Sequence, residues 1–176
     1  AVVEPVHVSG VTIEHITLHN RDEIARLGIK AGDRVLIERA GDVIPRIVAV
    51  TQAVAGESWR MPERCPACGT PAREVEGEVA VRCPNPACPE VLKRRIEHFV
   101  GRGAMDIEGV GEKLIEQLVV GGHVKEPADL YALDEATLAG LDRMGAISAR
   151  NLLAGLEASK GRPLARLIFG LGILHV

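Results

Sequence analysis

The spacing of hydrophobic residues in the first third of the chain follows the two-residue period of β-strands. The segment "VTIEHITL" at 11–18 alternates, but its phase slips between Ile13 and Ile16. A β-bulge within a single strand would produce such a slip. The segment "DRVLIERAGDVIPRIVAV" predicts two further strands that join at residues 40–42, with Pro45 at an edge or a bulge.

One short helix interrupts these predicted strands. Asn20 followed by Glu23 is a capping-box pattern, and Gly28 is typical of a helix end. Short strands broken by one short helix indicate a small Greek-key barrel of the OB-fold type.

Beyond residue 90 the hydrophobic period becomes helical. The predicted helices are "EVLKRRIEHFV", "EKLIEQLV", "EATLAGLD", "SARNLLAGLEASK" and "PLARLIFGL", separated by glycine pairs and by Pro127 and Pro163. The chain therefore changes from a β-rich part to an all-α part.

The helical part contains an internal repeat. Residues 107–111 (IEGVG) align with residues 141–145 (LDRMG) at a spacing of 34, and a third copy begins at Ile173. Tetratricopeptide repeats have this period, but they need large aromatic residues that this segment almost lacks. The repeated feature is a glycine turn followed by a helix, as in the helix-hairpin-helix units that grip the DNA backbone. The alternative is a plain helical bundle whose glycines cap helices.

All four cysteines lie in one stretch between these parts: Cys65-x2-Cys68, fourteen residues, then Cys83-x4-Cys88. Paired knuckles at this spacing fit one tetrahedral Zn²⁺ with four thiolates, a closed site that stabilises structure and does not catalyse. The segment between the pairs predicts a small hairpin. Two disulfides in a secreted module, or a redox Cys-x-x-Cys, explain the pattern less well.

Composition and charge restrict the function. The 176 residues are 47% hydrophobic and 2% aromatic, with a net charge of −3. Few aromatic side chains disfavour single-strand binding by base stacking, and the charge requires any nucleic-acid contact to be local. No apolar run is long enough for a membrane span, and the chain starts at Ala1 without a signal-peptide pattern, which fits a cytosolic protein or a piece of one. We therefore expect a cytoplasmic monomer without a membrane partner.

Sequence motifs for covalent catalysis are missing. The chain has no Walker A loop, no H-E-x-x-H and no G-x-S-x-G. The pair Gly109 and Gly111 lacks the third glycine and the preceding strand of a dinucleotide site. We therefore predict no catalytic residue in this chain.

The chain contains a predicted barrel, then a four-cysteine knuckle, then hairpin repeats. This arrangement resembles the central and C-terminal part of bacterial NAD-dependent DNA ligases. The resemblance rests on "TLHNRDEI", "GIKAGDRVLIERAGDVIPRIV", "CPACGTP…RCPNPACP", "IEHFVGRGAMDIEGVGEKLIEQL" and "LARLIFGLGILHV". It implies an OB-fold in residues 1–64 with its first strand upstream, a four-cysteine zinc finger in 65–89 and a helix-hairpin-helix domain in 90–176, truncated in its third motif. The adenylation domain, which carries the family's Lys-x-Asp-Gly nucleophile, would lie outside the chain.

The resemblance also implies the mechanism and the contacts. The parent enzyme seals nicks in duplex DNA during replication and repair, using NAD and Mg²⁺ bound outside this fragment. The fragment holds one structural Zn²⁺ and binds nicked double-stranded DNA without sequence specificity. The implied zinc ligands are Cys65, Cys68, Cys83 and Cys88. The implied DNA contacts are Gly109, Val110, Gly111, Lys113, Arg143, Gly145, Ser148 and Arg150 in the hairpins and His19, Arg21, Arg39 and Arg46 in the barrel.

Two other classes of function stay open at this point. One is a stand-alone DNA-repair accessory module that shares only the zinc and the hairpins. The other is a zinc-stabilised protein-interaction adaptor, which the negative net charge permits.

Overall fold

The structure, a computed structural model, describes residues 1–8, 10–40, 44–57, 59–74 and 80–173, with backbone alone at residues 39 and 40. It divides into two compact units. The first consists of Ala1–Cys65 with Pro71–Arg82, and the second of Pro66–Thr70 with Cys83–Val176.

In its described residues the first unit has three antiparallel strand pairs and one helix. In chain order its elements are β1 (Val2–Val8), β2 (Val11–His15), α1 (Arg21–Leu27), β3 (Arg34–Ala40), β4 (Ile44–Gln52), β5 (Arg73–Glu74) and β6 (Val81–Arg82). The pairs are β1–β2, β3–β4 and β5–β6, and each forms its own two-stranded sheet among the described residues. The predicted hairpin between the cysteine pairs is thus present as β5–β6.

Five isoleucines form the buried core of the first unit: Ile13, Ile16, Ile24, Ile29 and Ile47. The strand predicted over residues 11–18 is shorter than predicted, but the irregularity predicted within it is present. β2 ends at His15, and Ile16 reaches the core from the segment that follows it. The register of the β1–β2 pair shifts between Val2↔His15 and Val6↔Ile13, so the change of phase falls at this irregularity, whose extra residues lie on β1.

Helix α1 has the predicted ends. The Asn20 side chain accepts a hydrogen bond from the Glu23 N–H at 2.9 Å, and Gly28 closes the helix at φ 59°. Only half of the capping box forms, because the Glu23 carboxylate accepts from Arg26 at 2.6 and 2.8 Å and the Asn20 N–H donates to Leu18. The Arg26 guanidinium lowers the pKa of Glu23.

The predicted pair of strands in 33–50 is confirmed as β3 and β4. Their register shifts lie between Arg34 and Val35 and between Leu36 and Ile37, not at Pro45. Pro45 pairs with Arg39 near the end of the ladder, where a missing N–H is tolerated. Residues 41 and 42 of the predicted joint lie outside the described residues.

The second unit is helical. Its elements are α2 (Pro89–Val100), α3 (Glu112–Val120), a 3₁₀ helix (Pro127–Ala132), α4 (Glu135–Ala139), α5 (Ala146–Ser159) and α6 (Leu164–Gly170). The five predicted helices are present, with α4 shorter than predicted. The start of the third repeat beyond Ile173 lies outside the described residues. Among the described helices, none has the length and apolar character to cross a bilayer.

The apolar faces of the helices in this unit pack together in one core. Ile96 of α2, Leu118 of α3, Leu130 of the 3₁₀ helix and Leu138 of α4 are each at most 1% exposed. Full burial of such a side chain contributes roughly 1.5–3 kcal/mol. The second unit therefore holds its loops on a packed scaffold.

Candidate functional site

The four cysteines are brought together by two short structured segments. Arg64 forms a bridge with Pro71, which folds the first Cys-x-x-Cys back on itself, and Gly69 takes φ 72° in that turn. Cys83 follows β6 directly, and Cys88 is the N-cap of α2.

The sulfur atoms form one cluster. The Sγ atoms of Cys65, Cys68, Cys83 and Cys88 all lie within 4.8 Å of one another, and the thiols are reduced. The hydroxyl and the backbone N–H of Thr70 lower the pKa of Cys68 to about 6. Cys88 is completely buried. Four converging sulfurs, with at least one held toward the thiolate form, fit a single tetrahedral Zn²⁺.

The second feature is a pair of loops with the same backbone conformation, named here loop A (residues 107–111) and loop B (residues 141–145). The third residue of each loop has a left-handed backbone, Gly109 at φ 85° and Arg143 at φ 60°. The fifth residue of each is a helix N-cap, Gly111 at φ −89°, ψ 170° and Gly145 at φ −87°, ψ 168°. The repeat seen in the sequence is therefore also a repeat of structure.

The helices that follow the loops, α3 and α5, begin without a capping side chain. The first N–H groups of a helix have no partner inside the helix, so these groups are available to an anion. At Gly111 and Gly145 the backbone angles suit any residue, and an added Cβ would meet nothing within 4 Å. Neither backbone strain nor packing therefore explains why both positions are glycine.

Loops A and B line one groove of about 630 Å³ in the second unit. Its wall includes Gly109, Arg143 and Ser148, together with the acidic side chains of Asp106 and Glu108. Arg162 also lines it and donates to the Asp106 carboxylate at 2.7 Å. The groove thus brings the loop backbones together in a setting of mixed charge.

The remaining predicted residues of the helical part differ in accessibility. Lys113, Ser148 and Arg150 are exposed, and Arg150 lies 3.8 Å from Glu135. Arg143 is 79% exposed at its side chain and lies 3.8 Å from Asp142. Val110 is buried, so only its backbone can face a ligand.

The predicted cations of the first unit take part in surface ion pairs. Arg21 pairs with Glu74, and the Arg46 guanidinium lies 3.0 Å from Glu38. His19 is exposed at φ 59°, and its N–H donates to the Thr17 hydroxyl at 3.0 Å. The side chain of Arg39 lies outside the described residues.

Sequence reasoning missed residues that hold the loops in place. The Gln117 side chain contacts the backbone of Asp142 in loop B, and Asp106 contacts Arg162. No local sequence pattern predicts either contact, because the partners are 25 and 56 residues apart in the chain. The 3₁₀ helix could have been found, since Glu126 and Asp129 form a capping box around Pro127.

Comparison with known proteins assigns the two N-terminal domains. Residues 1–58 match the family model of the NAD-dependent DNA ligase OB-fold domain. Residues 64–89 match that of the NAD-dependent DNA ligase C4 zinc finger domain. The second match covers the four clustered cysteines.

Curated relatives match the whole chain. It is 53% identical to a DNA ligase of Pelotomaculum thermopropionicum, covering 26% of that protein. It is 53% identical to a DNA ligase of Chlorobium phaeovibrioides, covering 27%, and 52% identical to one of Roseiflexus sp., covering 25%. The chain therefore spans about a quarter of the length of these relatives.

Proposed function

We propose that this chain, which carries the OB-fold and C4 zinc finger domains of NAD-dependent DNA ligases, holds a nicked duplex so that a ligase can seal it. In this proposal loops A and B form two helix-hairpin-helix motifs that bind backbone phosphates. The first unit supplies further backbone contacts, and the four-cysteine cluster holds one structural Zn²⁺.

The observation that carries the proposal is the glycine at both helix N-caps. Glycine is tolerated at this position, but it adds no capping bond, whereas serine, aspartate and asparagine cap the helix with a side-chain oxygen. Gly111 and Gly145 are required by neither φ nor packing. A phosphate that approaches the backbone closely explains both glycines, because a side chain would stand in its way.

Such contacts bind DNA without reading its sequence. Backbone N–H groups and exposed cations such as Lys113 and Arg150 bind phosphate oxygens, which are the same at every base pair. A nick can occur at any sequence, so an enzyme that seals nicks needs this kind of grip. Because the groove also carries carboxylates, its attraction for phosphate is confined to the N–H groups and cations of the loops.

The cations of the first unit can also bind DNA phosphates, although they form ion pairs in the structure. Arg21 and Arg46 are about half exposed, and so are their partners Glu74 and Glu38. Exposed pairs of this kind contribute at most about 1 kcal/mol, so a phosphate can replace the carboxylate. His19 beside Arg21 belongs to the same proposed contact surface.

Zinc in the cluster would have a structural role. Cys65, Cys68, Cys83 and Cys88 would fill all four tetrahedral positions, which leaves none for water or substrate. When bound, Zn²⁺ would crosslink the knuckle at residue 65 to the start of α2 through Cys88. The four thiolates bind the ion and do no chemistry on DNA.

The covalent steps of ligation would be supplied by the rest of such an enzyme. None of the five lysines of this chain is followed by the x-Asp-Gly sequence of the family's nucleophile. We expect the chain to bind and orient the two DNA ends, which lowers the entropic barrier to joining them.

Binding of the zinc-loaded chain to a nicked duplex, measured from about 50 to 200 mM salt, tests this proposal. Each phosphate neutralised releases counterions, so the logarithm of the association constant should fall steeply with the logarithm of salt concentration. Duplexes of different sequence should bind equally. Absent binding, or binding that salt does not weaken, would contradict the proposal and favour a protein-interaction adaptor.

A further inference from the structure

One polar side chain joins the two loops. Gln117 is partly buried on α3, the helix that starts at loop A. Its Oε1 accepts a hydrogen bond from the Asp142 N–H at 2.7 Å, and its Nε2 donates to the Asp142 C=O at 3.3 Å. A single amide thus bonds both backbone groups of one residue in loop B.

The two loops are anchored in different ways. Loop A is fixed by apolar burial, with Ile107 and Val110 at 4% and 9% exposure. In loop B the corresponding residues, Leu141 and Met144, are only partly buried. Loop B also follows α4, a helix of five residues. Packing therefore determines the position of loop B less strongly than that of loop A.

We propose that Gln117 is a positioning residue that sets the distance between the phosphate-binding backbones of loops A and B. It lies six residues after Gly111 on a continuous helix, or about 9 Å along the axis. Because loop A forms the start of that helix, the bond to Asp142 fixes loop B to the same rigid element. This inference rests on the proposed DNA binding and adds the means by which the two loops act together.

The arrangement has a consequence for binding. Two loops held at a fixed spacing can bind two places on a regular backbone at once, and neither has to be ordered when DNA arrives. Loss of the Gln117 bonds leaves the N–H groups of each loop intact but removes their fixed spacing. DNA should then contact fewer phosphates at the same time.

The variant Gln117→Met keeps the length of the side chain and removes both hydrogen bonds. We expect its affinity for nicked duplex to fall about tenfold, and its dependence on salt to become shallower by about one phosphate contact. Hydrogen exchange of the Asp142 amide should speed up, while the amides of Ile96 and Leu118 in the core stay protected.

The control variant Tyr131→Phe removes a different hydrogen bond of the same unit. The Tyr131 hydroxyl lies 2.7 Å from the Ser159 hydroxyl, so this hydrogen bond joins the 3₁₀ helix to α5 and involves neither loop. This variant should change stability but leave the salt dependence at the wild-type value. The pair of variants separates positioning from a general loss of stability.

Two outcomes would overturn the inference: a wild-type salt dependence in Gln117→Met, or unchanged exchange at Asp142. A wild-type chain whose binding does not depend on salt would instead contradict the proposed function itself. The exchange measurement needs no DNA, so it still tests whether Gln117 holds loop B.

Discussion

At Arg143 the backbone conformation disfavours an arginine, whereas the proposed function favours one. It takes the left-handed conformation that Gly109 takes at the matching position of loop A. For a residue with a side chain this conformation costs about 1–2 kcal/mol. The guanidinium is largely exposed, and its ion pair among the described residues is a long contact with Asp142, which offsets little of that cost. Binding to a phosphate gives a reason to retain arginine there.

The variant Arg143→Gly should separate stability from binding. Glycine removes the backbone cost but is more flexible in the unfolded chain, so the free energy of unfolding should be unchanged or higher by up to about 1 kcal/mol. Affinity for nicked duplex should fall. Urea unfolding and a salt titration of binding measure the two effects. A variant that binds as well as the wild type would exclude Arg143 from the contact surface.

At the scale of single elements, α3 and α5 show how a helix can be left uncapped for a ligand. Helix α4, which lies between them in the chain, has a side-chain cap, because the Asp134 carboxylate accepts a hydrogen bond from the Thr137 N–H at 2.7 Å. That bond lowers the pKa of Asp134. Helices α2 and α6 also begin without a side-chain cap, at Cys88 and Pro163, so among the described helices of this unit α3 and α5 are distinguished by the glycine at their N-cap.

The variant Gly145→Ser would supply the missing cap on α5. Its hydroxyl can accept from the free N–H groups, so stability should rise by a few tenths of a kcal/mol. Its side chain also occupies the proposed phosphate site, so affinity for nicked duplex should fall. Thermal unfolding and a binding titration follow the two changes.

Gly161→Ala is the matched control for Gly145→Ser, at the opposite end of α5. A Cβ there comes no closer than 3.5 Å to the carbonyl oxygen of Ala158, which is ordinary contact, so the substitution is tolerated. This control should bind as the wild type does. If Gly145→Ser also binds nicked duplex as tightly as the wild type, the proposed phosphate site at the N-terminus of α5 is contradicted.

The elements themselves were largely predictable from the sequence. Local hydrogen bonds fix α1, because Asn20, Gly28 and the residues they cap are close in sequence. The phase slip before Ile16 coincides with the register shift of the β1–β2 pair, but the alternation did not show that the extra residues lie on β1 or that β2 ends at His15. Alternation shows which residues of one strand are buried, but it carries no information about the partner strand.

At the scale of the whole molecule, the metal is proposed to stabilise the region around the cysteines. Removal of zinc by a chelator should speed hydrogen exchange first around the cysteines and at the start of α2, while the rest of α2, α3 and α5 stay protected by their shared apolar core. Metal analysis should find about one zinc per chain. Simultaneous exposure of all helices would mean that zinc supports the entire fold, and disulfides without zinc would contradict the site.

The sequence by itself determined the local features: the change from a two-residue to a helical period, the cysteine spacing, the glycine turns and their repeat. Each depends on residues that are close along the chain, where backbone geometry follows from residue type. Only the tertiary structure brought the four sulfurs within 4.8 Å, gave Gly109 and Arg143 the same conformation and joined Gln117 to Asp142. These contacts depend on how apolar faces pack, and packing joins residues whose separation no local pattern encodes.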